Sequence, residues 1–147
     1  MISYCQIEQN SIYYQGEREL RNKVLLRPIG IPDFGWEMFD SKSFHFVALK
    51  EDCVIGCVIL HPLPESPGDA QLMQMAISSA MQKRGIGRGL MKILVDSAQS
   101  RGFKRVICHS RDEAAGFYAK LGFTVYGKPF TEVDILHRHM SLNLYNE

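Results

Sequence analysis

One stretch past the middle of the chain, Gln82-Lys83-Arg84-Gly85-Ile86-Gly87-Arg88-Gly89, combines three alternating glycines with three cationic side chains. Glycine lets the backbone take conformations that other residues resist and brings it close to a ligand. If the stretch opens a helix, the N–H groups and dipole at that helix start form a cradle for an anion. Lys83, Arg84 and Arg88 surround the cradle with full positive charge. A phosphate or pyrophosphate is the natural guest. The G-x-G-x-G spacing differs from the G-x-G-x-x-G dinucleotide fingerprint, and no Gly-Lys-Ser/Thr run follows as in a Walker loop. The alternative is a tight turn from strand to helix with a solvated basic face.

Local charge supports an anionic ligand. Lys83 to Arg105 holds seven basic residues and one acid, Asp96, for a net +6 in a chain whose formal charge is +1. The other candidate chemistry is thinner. Cys53 and Cys57 are four apart with no second ligand pair, so Cys5, Cys53, Cys57 and Cys108 are expected as core thiols. His137 and His139 face one way on a strand but lack a third ligand at sensible spacing, and no metal is expected. Arg21 and Arg27, near a helix end, are expected to be solvated, while His45, His61 and His109 have no evident partner.

The elements that must position the glycine segment follow from hydrophobic period and punctuation. Residues 1–8 alternate loosely as an edge strand, and Asn10 or Ser11 starts a helix that Pro28 stops near Arg27. Gly30, Pro32 and Gly35 make the next stretch a loop, with one helical turn around Trp36. Phe44–Leu49 and Cys53–Leu60 read as a hairpin, and Gln71–Ile77 as a central strand. A helix from Gly87 to about Arg101 carries Leu90, Met91, Leu94, Val95 and Ala98 on one stripe and ends at Gly102. Val106–Cys108 is a short strand, and Ala114, Phe117, Tyr118 and Leu121 repeat at helical spacing up to Gly122. Phe123–Tyr126 and His137–Leu144 finish as strands. The order β-α-β-β-β-α-β-α-β-β is mixed α/β, and no linker or repeat divides residues 1–147, so one domain is expected.

Composition excludes several classes. With 147 residues, 46% hydrophobic and 22% charged, the chain can bury a core without staples. Near-neutral charge argues against nucleic acid or a membrane surface as partner, and Phe103 is the one aromatic inside the basic run. The longest apolar runs, such as Val54–Leu60, are too short to span a bilayer. MISYCQIEQN has no basic patch followed by an apolar stretch, so a cytoplasmic protein is expected.

Gln82 to Gly87 matches Q-x-x-G-x-G and strongly resembles the acyl-CoA signature of the GNAT superfamily of N-acetyltransferases. Ser110 to Phe123 resembles the superfamily's second signature, A-x-x-F-Y-x-K-x-G-F, 28 residues on from Gln82 to Ser110. The segments ELRNKVLLRPIG and Phe130–His137 are similar, more softly, to parts of one GNAT subset. The resemblance implies a mixed, mostly antiparallel sheet of about six to seven strands, splayed between the fourth and fifth and flanked by helices. It implies acyl-CoA in that splay with its pyrophosphate on Gln82, Lys83, Arg84, Gly85, Ile86, Gly87 and Arg88. Met75, Ala76 and Ile77 would meet the pantetheine arm through main-chain groups, and Phe117 and Lys120 would line the cofactor side of the later helix.

The implied reaction is acetyl transfer from acetyl-CoA to a primary amine, on a small molecule or a peptide, by direct attack in a ternary complex. Attack expels a thiolate, and the phenol of Tyr118 can give it a proton. Some GNAT enzymes place a glutamate base on the fourth strand. Here that strand offers only Gln71 and Gln74, which cannot take a proton. Glu132 and His137 remain as candidate bases, acting through water, and a homodimer is compatible with the resemblance. A fold of this type that binds acyl-CoA without catalysis is the alternative.

Overall fold

The computed structural model describes residues 1–144. Seven strands and three α-helices follow one another as β1 (Ile2–Ile7), α1 (Tyr14–Arg21), β2 (Phe44–Lys50), β3 (Cys53–Pro62), β4 (Asp69–Ile77), α2 (Ile86–Ser100), β5 (Arg105–Arg111), α3 (Ala115–Lys120), β6 (Thr124–Glu132) and β7 (Ile135–Asn143). The strands lie in the order β1-β2-β3-β4-β5-β7-β6, mostly antiparallel with a parallel β4–β5 pair. The order of elements is the one the sequence predicts, and the fold is the mixed α/β type expected. The described residues form two compact units: residues 1–61 with 74–94, and residues 62–73 with 95–144. β4 and α2 each pass from one unit to the other.

In the first unit, β1, β2 and β3 pair antiparallel in sequence order. One face buries Ile7, Val47, Leu49, Cys57 and Ala76 against Leu20 of α1, with Tyr13, Tyr14, Val24 and Leu25 packed alongside. On β3, Gly56 makes room for α2: a Cβ there would stand 3.0 Å from Ile86 and 3.2 Å from Leu90. The helix starting after Ser11 is shorter than the sequence predicts. Regular α-geometry ends at Arg21, a π-turn spans Asn22–Leu26, and a 3-10 turn over Arg27–Ile29 closes on Gly30 at φ 79°. Pro28 is tolerated at the start of that last turn, where an N–H has no partner to lose. The helical turn expected around Trp36 falls instead at Asp40–Lys42.

In the second unit, Asp69–Leu72 pair in parallel with Arg105–Cys108, covering the first four residues of β4. β7 lies between β5 and β6, antiparallel to both. β6 runs six residues beyond the expected Tyr126, because its register slips between Tyr126 and Phe130 around Gly127 at φ 67°. Gly127 and Pro129 ordinarily interrupt a strand, but an edge strand accommodates both in a bulge. Both hairpins turn on two residues at positive φ, Glu51-Asp52 (51° and 63°) and Val133-Asp134 (48° and 62°).

The four cysteines are free thiols. Cys57 and Cys108 are buried as expected and burial pushes both thiols up in pKa, whereas Cys53 is exposed at the start of β3. Among the described residues, no helix is long and apolar enough to cross a membrane.

Candidate functional site

In the first unit, the glycine segment links the end of β4 to α2. After Ile77, the Ser78 N–H donates to Ile55 O at 2.8 Å and a 3-10 turn spans Ser79–Met81. Gln82 then reaches back, its Nε2 donating to Ile77 O at 3.3 Å. Lys83 at φ 64° and Gly85 at φ 81° turn the chain sharply into α2. Gln82, Lys83, Arg84, Gly85 and Arg88 are exposed, so the turn is open and cationic. A Cβ on Gly85 would meet nothing within 4 Å, which leaves space directly above the turn. The first helical bond runs from the Gly89 N–H to Gly85 O, and the N–H groups ahead of it are the ones a helix start leaves unpaired. Open space, left-handed backbone, helix-start N–H groups and cations together fit a phosphate-bearing cofactor.

Packing constrains two residues of the glycine stretch. The Ile86 side chain is buried, so only its backbone faces the turn. Gly89, beside Arg88, is required by packing: a Cβ there would stand 2.3–2.5 Å from the ring and hydroxyl of Tyr4. Met75 and Ile77 are half-buried and Ala76 is buried at the end of β4, just after Gln74, whose φ of 53° breaks the extended backbone.

The same unit holds a buried polar network that sequence reasoning missed. Glu17, Arg21, Asp40 and His45 are each no more than 2% exposed. Arg21 donates Nη1 to Glu17 at 2.6 Å, both Nη atoms to Asp40 at 2.9 Å, and Nε to Gln74 Oε1 at 2.8 Å. The Tyr14 hydroxyl donates to Asp40 at 2.6 Å. Burial and that hydrogen bond push the phenol up to about 12. His45 Nε2 donates to Asp40 O at 2.8 Å, and its Nδ1 lies 2.8 and 3.0 Å from the two Glu17 oxygens. Burial alone would lower the imidazole pKa, but the Glu17 hydrogen bond and charge outweigh it and the net shift is upward.

Glu17, Asp40 and His45 lie close enough together to hold a cation. The Arg21 guanidinium already bridges the two carboxylates, so the donor set is occupied. Arg21 is therefore core, against the expectation of a solvated helix end, because Glu17 four residues earlier and Asp40 far along the chain neutralise it. Arg27 is half-exposed and pairs with Glu19 and Asp33, as a solvated arginine does. Trp36 lies over Arg21, 4.4 Å from guanidinium carbon to ring centroid.

In the second unit, α3 carries Phe117, Tyr118 and Lys120 as predicted. Phe117 and Lys120 are exposed, while Tyr118 is 8% exposed between Phe117 and Phe123, with ring centroids at 5.1 and 5.5 Å. Burial raises the phenol well above its ordinary pKa, with a further push from Cys108, so it stays protonated as a donor.

Glu132 and His137 have different neighbours from one another. Glu132 Oε2 lies 3.3 Å from His109 Nδ1. His137 is buried, with Nδ1 donating to Ile135 O at 2.7 Å and its ring stacked on Phe130 at 5.6 Å. His109 lies opposite His139 in the β5–β7 register, and Tyr126 opposite His139 in the β6–β7 register. Phe130 stacks on His139 at 4.2 Å, Tyr126 stacks on it at 5.3 Å, and His109 meets both Phe130 and His139 edge-on at 5.1 Å. The sequence held a clue to this wall in the His137-x-His139 pair, but His109 joins it only once β5 and β7 align.

The model of the Acetyltransferase (GNAT) family matches residues 9–123. Probable N-acetyltransferase 14 of Xenopus tropicalis is 26% identical over 118 residues, a match covering 71% of this chain and 57% of that protein's length. An acyl-CoA N-acyltransferase from Pseudomonas aeruginosa has a similar fold, with TM-score 0.83, 18% identity, and 97% and 99% of the two chains covered. An aminoglycoside 6'-N-acetyltransferase solved with coenzyme A superposes with TM-score 0.78 and 16% identity over 99% and 98% of the chains.

Proposed function

The chain belongs to the GNAT family of acetyltransferases, and from that premise we propose that it transfers an acetyl group from acetyl-CoA to a primary amine by direct attack. The observation that carries the reading is the open cationic turn from Lys83 to Arg88 at the start of α2. Acetyl-CoA supplies an activated thioester, whose carbonyl carbon an amine can attack. The turn's N–H groups with Lys83, Arg84 and Arg88 bind its phosphates. Main-chain groups of Met75, Ala76 and Ile77 hold the pantetheine arm, one N–H facing the thioester oxygen as a donor. Phe117 and Lys120 of α3 are the other residues this reading assigns to the cofactor.

Tyr118 keeps its proton at every physiological pH, since burial disfavours the phenolate. Its O–H hydrogen-bonds the departing sulfur and passes the proton as charge develops there. The acceptor is a small-molecule or peptide amine, and residues 1–147 act as one acyltransferase domain in this reading.

Thermal unfolding with acetyl-CoA, CoA or NADH tests it. At a hundred times its dissociation constant a ligand stabilises by about 2.7 kcal/mol, enough to move the midpoint by several degrees. A shift with acetyl-CoA and CoA but not NADH is expected, followed by acetylation of at least one member of an amine panel. No shift with any of the three overturns the reading. A shift without transfer to any amine leaves an acyl-CoA-binding module.

A further inference from the structure

We propose that Arg21 is a positioning residue for the cofactor: it holds Gln74 in a left-handed backbone conformation, and so sets how the end of β4 meets acetyl-CoA. The inference rests on the acyltransferase reading, which gives Met75, Ala76 and Ile77 to the pantetheine arm, and adds the residue that shapes their backbone. Arg21, Gln74, those three residues and the glycine turn all belong to the first unit.

Gln74 is the anomaly. Among the described residues, six other than glycine have positive φ. Glu51, Asp52, Val133 and Asp134 form the two hairpin tips, and Lys83 lies in the glycine turn, places where a chain must reverse. Gln74, at φ 53°, is instead inside the strand Asp69–Ile77, after the four residues that pair with β5. A left-handed residue there interrupts the extended backbone and re-aims the groups that follow it. Such a conformation persists only where its surroundings over-determine it, and residues so held gather at ligand sites.

What holds Gln74 is the buried cluster. Arg21 Nε donates to Gln74 Oε1 at 2.8 Å. A guanidinium carries donors alone, so the amide oxygen must face it, and the amide has one orientation. The guanidinium is itself fixed: Glu17 accepts from Nη1, Asp40 accepts from both Nη atoms, and the Trp36 ring lies against its face at 4.4 Å. Asp40 is anchored in turn by the Tyr14 hydroxyl, and Glu17 by His45.

Stability alone is a poor reason for such a cluster, since well-packed apolar side chains of similar volume often serve a core as well. Its arm to β4 ends on that strand's one left-handed residue. Arg21 touches no cofactor in this scheme and acts through Gln74.

Titration calorimetry with acetyl-CoA and CoA, together with unfolding midpoints, tests the assignment on Gln74→Leu, Gln74→Gly, Arg21→Lys and the Arg21→Lys/Gln74→Gly pair. Leucine offers Arg21 no acceptor and resists the left-handed conformation, so Gln74→Leu is expected to bind acetyl-CoA about tenfold more weakly. Glycine offers no acceptor either but takes positive φ freely, so Gln74→Gly is expected to stay within about twofold of the native affinity. Both variants strip Arg21 Nε of its partner and lower the midpoint, so a merely structural role predicts no difference in affinity between them. Arg21→Lys keeps a cation for Glu17 and Asp40 but lacks the planar fork that reaches Gln74 at the same time. It is expected to bind about tenfold more weakly, with glycine at position 74 restoring the affinity.

Native affinity in Gln74→Leu or in Arg21→Lys overturns the proposal and leaves the acyltransferase reading standing. So does an equal loss in Gln74→Gly, which would make the side chain rather than the backbone the cofactor's need, or an Arg21→Lys loss that glycine does not restore. If Gln74→Leu does not fold, the Arg21→Lys variants decide by the same outcomes. A native chain that binds neither acetyl-CoA nor CoA overturns both.

Discussion

Arg21 gives Asp40 both terminal guanidinium nitrogens at 2.9 Å, and both side chains are withdrawn from solvent. The pairing joins α1 to the 3-10 turn before β2 and, through Arg21 Nε and Gln74, to the middle of β4. Two carboxylates, one guanidinium and one imidazole share this buried cluster. Burial of such a set is tolerable only while every member is present.

Arg21→Ala is therefore expected to cost about 3–5 kcal/mol, because it leaves two buried carboxylates without their cation. Urea denaturation measures it. A loss under 1 kcal/mol would mean that water enters the cavity and replaces the guanidinium.

His45 makes stability depend on pH. Its folded pKa is raised, so the stabilisation is fully present below the unfolded value of about 6.5 and is lost as pH rises through the folded value. Denaturation midpoints from pH 6 upward are expected to fall for the native chain more than for His45→Gln. Parallel curves for the two would assign the dependence to another group.

Gly89→Ala and Gly85→Ala are expected to act in different ways. At Gly89 the added methyl meets Tyr4, at a cost of about 1–3 kcal/mol from overpacking. In a Tyr4→Ala background the same change is expected to become neutral or favourable, since alanine is the better helix former. A cost that persists without the ring would place the clash elsewhere.

At Gly85 the methyl meets open space, and the left-handed backbone costs about 1–2 kcal/mol. Gly85→Ala is further expected to weaken the stabilisation by acetyl-CoA, as the methyl fills the space above the turn. An unchanged acetyl-CoA shift in a folded Gly85→Ala would remove the turn from the binding site.

Tyr118→Phe is expected to lower turnover about a hundredfold with little change in acetyl-CoA affinity. The substitution keeps the ring packed against Phe117 and Phe123 and removes only the hydroxyl. Single-turnover thiol release at saturating acetyl-CoA is the measurement. Unaltered turnover would take Tyr118 out of the mechanism.

The order of elements and the glycine turn were legible because they are local. A run such as Phe44–Leu49 declares its strand, and Gly102 and Gly122 declare helix ends by their own chemistry. What escaped was made by pairing at a distance. Nothing near Arg21 in the sequence announces Asp40 or Gln74, and a helix-end arginine is ordinarily wet. His109 acquires its neighbours only when β5 lies beside β7 and β6 beside β7. Gly89 looked like part of the turn because it continues the alternation of Gly85 and Gly87, whereas its demand comes from Tyr4 on β1.

The two hairpin tips leave room for adaptation. Left-handed backbone at both central positions suits asparagine and glycine, yet the chain uses Glu51-Asp52 and Val133-Asp134. Val133 is the less comfortable, a β-branched residue at φ 48° and largely in solvent. An Asn-Gly pair in place of Val133-Asp134 would relieve about 1–2 kcal/mol per strained residue, whereas at the other tip it would give up the bond that the Tyr13 hydroxyl donates to Asp52. A lineage moving to warmer surroundings would have that stability within two substitutions, at the loop that follows Glu132 and far along the chain from the glycine turn.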